Sequence, residues 1–197
     1  MRLAPNRIPD VGSFLAAFGS ETRTRSYRKK QIIFSQGDRS DSLFYVLNGT
    51  VKLAMVSREG KEAIIAIVGA GRYFGESCLS LEDPVRFQSA IALTDARLLK
   101  LGSKAILQML RSGGDVSINL IVSLLKQNAQ IQEDLTNRLV DSAEQSVARV
   151  ISSFAQFKGK GMSAPKISQQ TIAEMMGITR QRVNVLMRRL GLSQPPR

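Results

Sequence analysis

The chain has 197 residues, 43% of them hydrophobic, with 28 Lys and Arg against 16 Asp and Glu for a formal net charge of +12. One cysteine, Cys78, and no histidine exclude, within a single chain, a disulfide framework, a Cys/His zinc site, a four-cysteine iron–sulfur cluster and histidine-dependent catalysis. No run approaches the roughly 20 apolar residues of a membrane span, and MRLAPNRIPDVGSF, broken by two prolines and an acid, is not a secretory signal. A cytoplasmic chain without a membrane partner is expected. No nucleophile and base stand together around Ser77 or Cys78, so an enzyme is not expected.

The charge is unevenly spread. Residues 1–30 hold seven Lys/Arg against two acids, residues 31–141 twelve against twelve, and residues 142–197 nine against two. The middle is neutral and the ends are basic, which is the electrostatic footprint of a polyanion partner if a suitable motif coincides with it.

In chain order, Val11 to Phe18 is a short apolar patch that reads as a helical turn or two lying on the next domain. The basic cluster Arg23, Arg25, Arg28, Lys29 and Lys30 reads as a solvated lead-in. From Gln31 the pattern changes to short runs of period two punctuated by glycine, predicting strands at 31–34, 43–47, 50–57, 62–68, near 73, near 87–93 and at 96–101. Evenly spaced short strands of this kind predict a compact antiparallel barrel or jelly roll.

After Gly113-Gly114 a long helix is predicted from Asp115 to about Val140. Ile121, Leu124, Asn128, Ile131 and Leu135 follow the three-and-four spacing of a coiled-coil seam, in which a buried Asn128 fixes register and favours two strands. Val116, Leu120 and Leu125 are expected to pack on the chain's own roll. Asp141 or Ser142 caps the next helix, whose stripe Val147, Val150, Ile151 and Phe154 builds a small core.

Ser168 to Leu190, SQQTIAEMMGITRQRVNVLMRRL, reads as a helix-turn-helix. Ser168 caps a short helix with Ile172, Ala173 and Met176 on its apolar face, Gly177 takes the positive φ of the turn, and Thr179 caps a second helix with Val183, Leu186, Met187 and Leu190 as its buried stripe. In that motif the second helix enters the major groove, where Arg suits guanine and Gln or Asn suits adenine.

The order "FSQGD", "LFYVLNGTVKL", "FGES" and "RFQSAIALTDARLLKL", followed by a long helix and a helix-turn-helix, resembles the cyclic-AMP receptor protein and FNR (CRP/FNR) family of bacterial transcription regulators over about residues 25 to 190. The resemblance implies an α+β fold: a cyclic-nucleotide-binding-like β-roll over 1–114, a dimerisation helix and hinge over 115–141, and a helix-turn-helix domain over 142–197. Relatives continue into a β-hairpin wing, whereas this chain continues only as GLSQPPR, so the wing is expected to be missing.

In relatives that bind a cyclic nucleotide, a glycine and a glutamate face an arginine followed by a small residue. Gly75, Glu76 and Arg86 match, whereas Phe87 and Gln88 stand where small residues are expected. An inward Phe87 would fill the pocket with the protein itself, leaving Gly75 for a turn and Glu76 with Arg86 for an internal ion pair. On the long helix Gln130 retains bonding capacity toward a base and Ile131 does not. The resemblance therefore requires no cofactor here and argues against cyclic AMP as the effector.

For DNA the resemblance carries Arg180, Gln181 and Asn184 to base edges, with Arg182 and Arg188 on phosphates and Thr179 at the helix start. The expected protein is a homodimeric regulator of a two-fold DNA site, with RNA polymerase open as a further partner. The alternative is a dimerising sensor module with a DNA-binding-deficient head, acting by pairing with full-length relatives.

Overall fold

The computed structural model describes residues 22–60, 62–79, 84–159 and 168–191, without the side chains of residues 22, 138 and 153–159. The predicted patch Val11 to Phe18, the Phe154 side chain and the tail expected to lack a wing lie outside that description.

Among the described residues eight strands form two antiparallel sheets. β1 (Thr22–Tyr27), β8 (Ala96–Gly102), β3 (Ser42–Asn48) and β6 (Tyr73–Phe74) make one, in that spatial order. β2 (Ile32–Phe34), β7 (Ser89–Ala92), β4 (Thr50–Val56) and β5 (Glu62–Gly69) make the other. Five helices follow among the described residues: α1 (Ser103–Ser112), α2 (Asp115–Val140), α3 (Ala143–Gly159), α4 (Gln169–Met176) and α5 (Arg180–Arg189).

β3 explains the layering. Its successive side chains point to opposite faces, and both faces are buried. Phe44 and Val46 enter the core between the sheets with Phe34, Val51, Leu53, Phe74 and Leu98. Leu43 and Tyr45 enter a second core with Tyr73, Cys78, Leu99 and Leu101, roofed by Ile106 and Met109 of α1 and Leu120 of α2. The corner between α1 and α2 is tied by Ser112 and Ser117, whose hydroxyls donate to the Met109 carbonyl at 2.8 and 2.9 Å. Burial pushes the Cys78 thiol pKa up to about 11, so it serves as a small core residue.

Three departures from the predicted elements have physical causes. Thr22–Tyr27, read as a solvated lead-in, is a strand paired with β8 from Thr22↔Leu101 to Tyr27↔Ala96. It is an edge strand, so Arg23 and Arg25 can be exposed and charged, and no apolar alternation announces it. α1 was not anticipated; its few apolar residues, Ile106 and Met109 above all, acquire meaning only from the sheet beneath them. On α2 the faces divide differently from prediction: Leu124 joins Val116 and Leu120 against the roll, while Leu125 is 63% exposed.

The helix caps follow the sequence closely. Ser168 Oγ accepts from Thr171 N at 3.0 Å, and Thr179 Oγ1 accepts from Arg182 N at 3.2 Å. Ser142 and Gln145 form a reciprocal capping box, at 3.3 Å from Gln145 N to Ser142 Oγ and 2.8 Å from Ser142 N to Gln145 Oε1. Gly177 adopts φ 65°, the left-handed turn between α4 and α5. Among the described residues no helix is long and apolar enough to cross a membrane.

Leu120 is 1% exposed and is the deepest α2 contribution to the second core. Leu120→Ala is expected to cost about 2–5 kcal/mol in urea unfolding; a loss under about 0.5 kcal/mol would show that α2 is not anchored on the roll through this side chain.

Candidate functional site

Of the predicted pocket residues, Gly75 and Arg86 come together, around the buried Arg86 guanidinium. Arg86 is only 3% exposed, and its guanidinium lies over the Phe34 ring at 4.1 Å and 5.6 Å from the Phe44 ring centroid. Nη1 donates to the Gly75 carbonyl at 2.9 Å, while Nη2 donates to the Ser42 carbonyl at 2.8 Å and to Ser42 Oγ at 3.0 Å. Ser42 Oγ in turn donates to Asp41 at 2.8 Å, and Lys100 approaches the same carboxylate at 3.4 Å. Among the described residues Nε of Arg86 has no hydrogen-bond partner. Burial lowers the Arg86 pKa against the pull of nearby acids, but an arginine remains protonated at neutral pH.

Gly75 serves this contact. It sits at φ 83°, and a Cβ there would lie 2.6 Å from Arg86 Nη1. A side chain at that position would therefore displace the guanidinium as well as strain the backbone.

Two pocket expectations are corrected. Phe87 does not point inward; it is 64% exposed. The backbone pairs on both sides of Arg86, with Gly37 N donating to Arg86 O and Arg86 N donating to Asp38 O, both at 2.8 Å. That pairing turns Arg86 in and leaves Phe87 out, so it is Arg86 that fills the space. Glu76 is exposed and forms no ion pair with Arg86; the carboxylate within reach is Asp41, at 3.9 Å. Asp41, Ser42 and Phe34 were not predicted as pocket residues, because they are far from Arg86 in sequence and nothing local marks them.

Gln130 does not face the roll. Its amide donates to Glu133 and Asp134 of its own helix, at 3.3 and 3.2 Å. The α2 amide that bonds the roll is Gln127, whose Nε2 donates to the Tyr73 carbonyl at 2.9 Å. Ile118, Ile121, Leu125, Ile131, Leu135 and Leu139 expose between 48% and 79% of their surface, and Asn128 is exposed among them.

The head consists of α3, α4 and α5. Val147, Ile172, Ala173, Val183, Leu186 and Met187 are buried together, with Val150, Ile151 and Met176 partly buried against them. Leu190, predicted in the buried stripe, is 38% exposed because it lies at the C-cap, past the last turn. Thr179, Arg180, Gln181, Arg182 and Arg188 are exposed and Asn184 is half-buried. Arg189 is tied to Glu144 of α3 at 3.0 Å, and Arg149 forks onto Asp141 at 2.9 and 3.3 Å, bracing the turn between α2 and α3. A separate open cleft of about 490 Å³ is lined by Ser26, Arg28, Gln31, Asn48 and Arg97 among others, and none of the predicted site residues lines it.

Comparison with known proteins accords with this arrangement. The family described as the cyclic nucleotide-binding domain matches residues 24–112. The chain is 22% identical over 187 residues to the cAMP-activated global transcriptional regulator CRP of Pasteurella multocida, covering 92% of this chain and 89% of that one. It is 24% identical over 178 residues to the CRP-like cAMP-activated global transcriptional regulator of Mycobacterium tuberculosis H37Rv, covering 87% and 79%. The solved structure of the c-di-GMP responsive global regulator CLP of Xanthomonas campestris shares the fold, with a TM-score of 0.76 at 19% identity over 92% of each chain. A cyclic nucleotide-binding domain at 24–112, in a chain that aligns over most of its length with these regulators and shares their fold, supports membership of the CRP/FNR family of transcription regulators.

Proposed function

We propose that the protein is a homodimeric, DNA-binding regulator that reads a two-fold site through α5. The observation that carries this reading is the division of α5 into two faces. Val183, Leu186 and Met187 are buried, while Arg180, Gln181 and Arg188 face outward behind a capped, left-handed turn. Arg180, Gln181 and Asn184 read base edges, Arg182 and Arg188 hold phosphates, and Thr179 fixes the helix start. In footprinting and titration on genomic fragments at two salt concentrations, a protected palindrome is expected. Arg180→Ala should lose about 1–3 kcal/mol on the specific site and relax preference at one base pair. An equal loss on every DNA sequence would refute that assignment, and non-specific binding alone would leave the alternative, a sensor module that pairs with full-length relatives.

The second copy packs on the exposed stripe of α2. Ile118, Ile121, Leu125, Asn128, Ile131, Leu135 and Leu139 recur at steps of three and four, as the residues of a two-stranded seam do. An apolar row of that length on one helix supports a partner helix. Leu124, kept by the roll, is replaced in the seam by Leu125. Leu125→Arg should convert a dimer into a monomer in sedimentation equilibrium at micromolar protein; an unchanged mass would remove α2 as the interface.

Cyclic AMP is not the effector in this reading. Arg86, the residue that would neutralise a phosphate, already donates to two carbonyls and a hydroxyl of its own chain. A nucleotide would have to strip those bonds before forming its own. Equilibrium dialysis with cyclic AMP should give no saturable binding in the micromolar range and no change in DNA affinity. Saturable binding that alters DNA affinity would overturn this.

A further inference from the structure

The sheet of β1, β8, β3 and β6 runs on past its helical roof. On β8, Leu99 and Leu101 lie beneath α1 and α2, and Arg97, two residues before Leu99, shares their face. The strand register places Ser26 of β1 on one side of Arg97 and Asn48 of β3 on the other, and all three are exposed. Three turns meet at this row: Arg28 to Gln31 after β1, Asn48-Gly49 after β3, and Thr94-Asp95 before β8. Among them lies the open cleft of about 490 Å³, lined by Ser26, Arg28, Gln31, Asn48, Asp95 and Arg97 among others. A space of that size suits a small ligand.

The frame of the cleft is fixed by bonds between the turns. Lys29 N donates to Asp95 Oδ1 at 2.8 Å, joining the first turn to the third. Thr50 N donates to Thr94 Oγ1 at 3.0 Å, and a Cβ on Gly49 would run into the Asp95 carbonyl, so the second turn lies against the third. Lys30 N donates to Ala92 O at 2.7 Å, which holds Lys30 at φ 73°, the one positive φ of a non-glycine among the described residues.

The lining is rich in donors that nothing in the chain uses. Among the described residues neither Arg28 nor Arg97 has an ion-pair partner. Gln31 Oε1 accepts from Arg28 N at 2.9 Å, so the Gln31 side chain keeps its Nε2 for donation. The one carboxylate of the lining, Asp95, already accepts through Oδ1 from Lys29 N. Arg28, Lys29, Lys30 and Arg97 thus outnumber it at the cleft and on its turn. Two guanidinium forks, side-chain amides and a hydroxyl in one concave frame complement a phosphate group, whose oxygens accept several hydrogen bonds at once.

We propose that this cleft is a binding site for a phosphate group, free or carried on a small ligand, seated between Arg28 and Arg97. None of the residues assigned to the Arg86 pocket or to DNA reading lines it, so the proposal stands whether or not α5 reads DNA.

Calorimetric titration of the full chain with inorganic phosphate at low chloride tests the seat. Saturation at one phosphate per chain, in the millimolar range or tighter, is expected. Arg28→Gln and Arg97→Gln should each weaken binding about fivefold or more, while Arg25→Gln, on β1 but paired with Leu98 of the opposite face, should change it less than about twofold. Absence of saturable binding overturns the proposal. Equal weakening by Arg25→Gln also overturns it, since the effect would then be diffuse charge. Should Arg97→Gln melt early, Arg97→Lys is read instead, because it keeps the charge and loses the fork: weakening of about threefold or more supports the seat, and unchanged affinity overturns it. Adenosine monophosphate in the same titration separates the sources. Tighter binding than inorganic phosphate, lost in Arg97→Gln, upholds a carried phosphate, and equal affinity upholds the free ion. A loss of DNA affinity in Arg28→Gln with phosphate binding unchanged would make the cleft part of a DNA surface and overturn the proposal.

Discussion

A guanidinium removed from water must replace its lost hydration with fixed partners, and the roll is arranged to supply them to Arg86. Five N–H donors enter a space walled by two phenylalanine rings; three of its hydrogen bonds go to the carbonyls of Ser42 and Gly75 and to the Ser42 hydroxyl. The cost of burying such a charge unpaired is several kcal/mol, which explains why so many local features converge on it. Gly75 has no side chain where Nη1 lies, β3 turns its first carbonyl inward, and the Gly37–Asp38 turn holds the Arg86 backbone from both sides. The charge is shared onward through Ser42 to Asp41 and Lys100, so the cluster links both sheets' loops into one network.

The long helix has two regimes set by what lies beside it. Over its first turns the roll selects the face: Val116, Leu120 and Leu124 pack down and Gln127 bonds the Tyr73 carbonyl. Past that point Ile131, Leu135, Leu139 and Val140 stand exposed, as Ile118, Ile121 and Leu125 do before it on the side away from Leu120. Leu124 is held against the roll, while Leu125, one residue on and about 100° round the helix, is exposed.

The head is held by its ends as well as its core. The Asp141–Arg149 fork and the Ser142–Gln145 box stiffen the passage from α2 to α3, and Arg189 to Glu144 ties α5 back to α3. Exposed ion pairs of this kind are worth little singly, but they fix orientation where the hydrophobic core is small. Ile67 then closes the core from the side of the roll, so sensor and head are coupled by packing as well as by chain connection.

The caps, the left-handed turn at Gly177, the bounds of α2 and most strands of the roll were legible in the sequence. Each depends on short-range physics: a hydroxyl two or three residues from an amide, a glycine at positive φ, an alternation of period two. β1 escaped notice because an edge strand keeps charged residues on it, and α1 because its few apolar side chains become a face only over the sheet. Which pocket residue turns inward was likewise decided by tertiary structure. Phe87 is the more apolar, yet Arg86 is buried, because partners from β3, the Gly75 turn and the Phe34 ring meet it there, and those contacts join residues up to 52 positions apart, from Phe34 to Arg86. Sequence alone determined the family's residues and local elements; the folded chain decided what those residues face, since burial of a polar group depends on partners that only long-range packing can deliver.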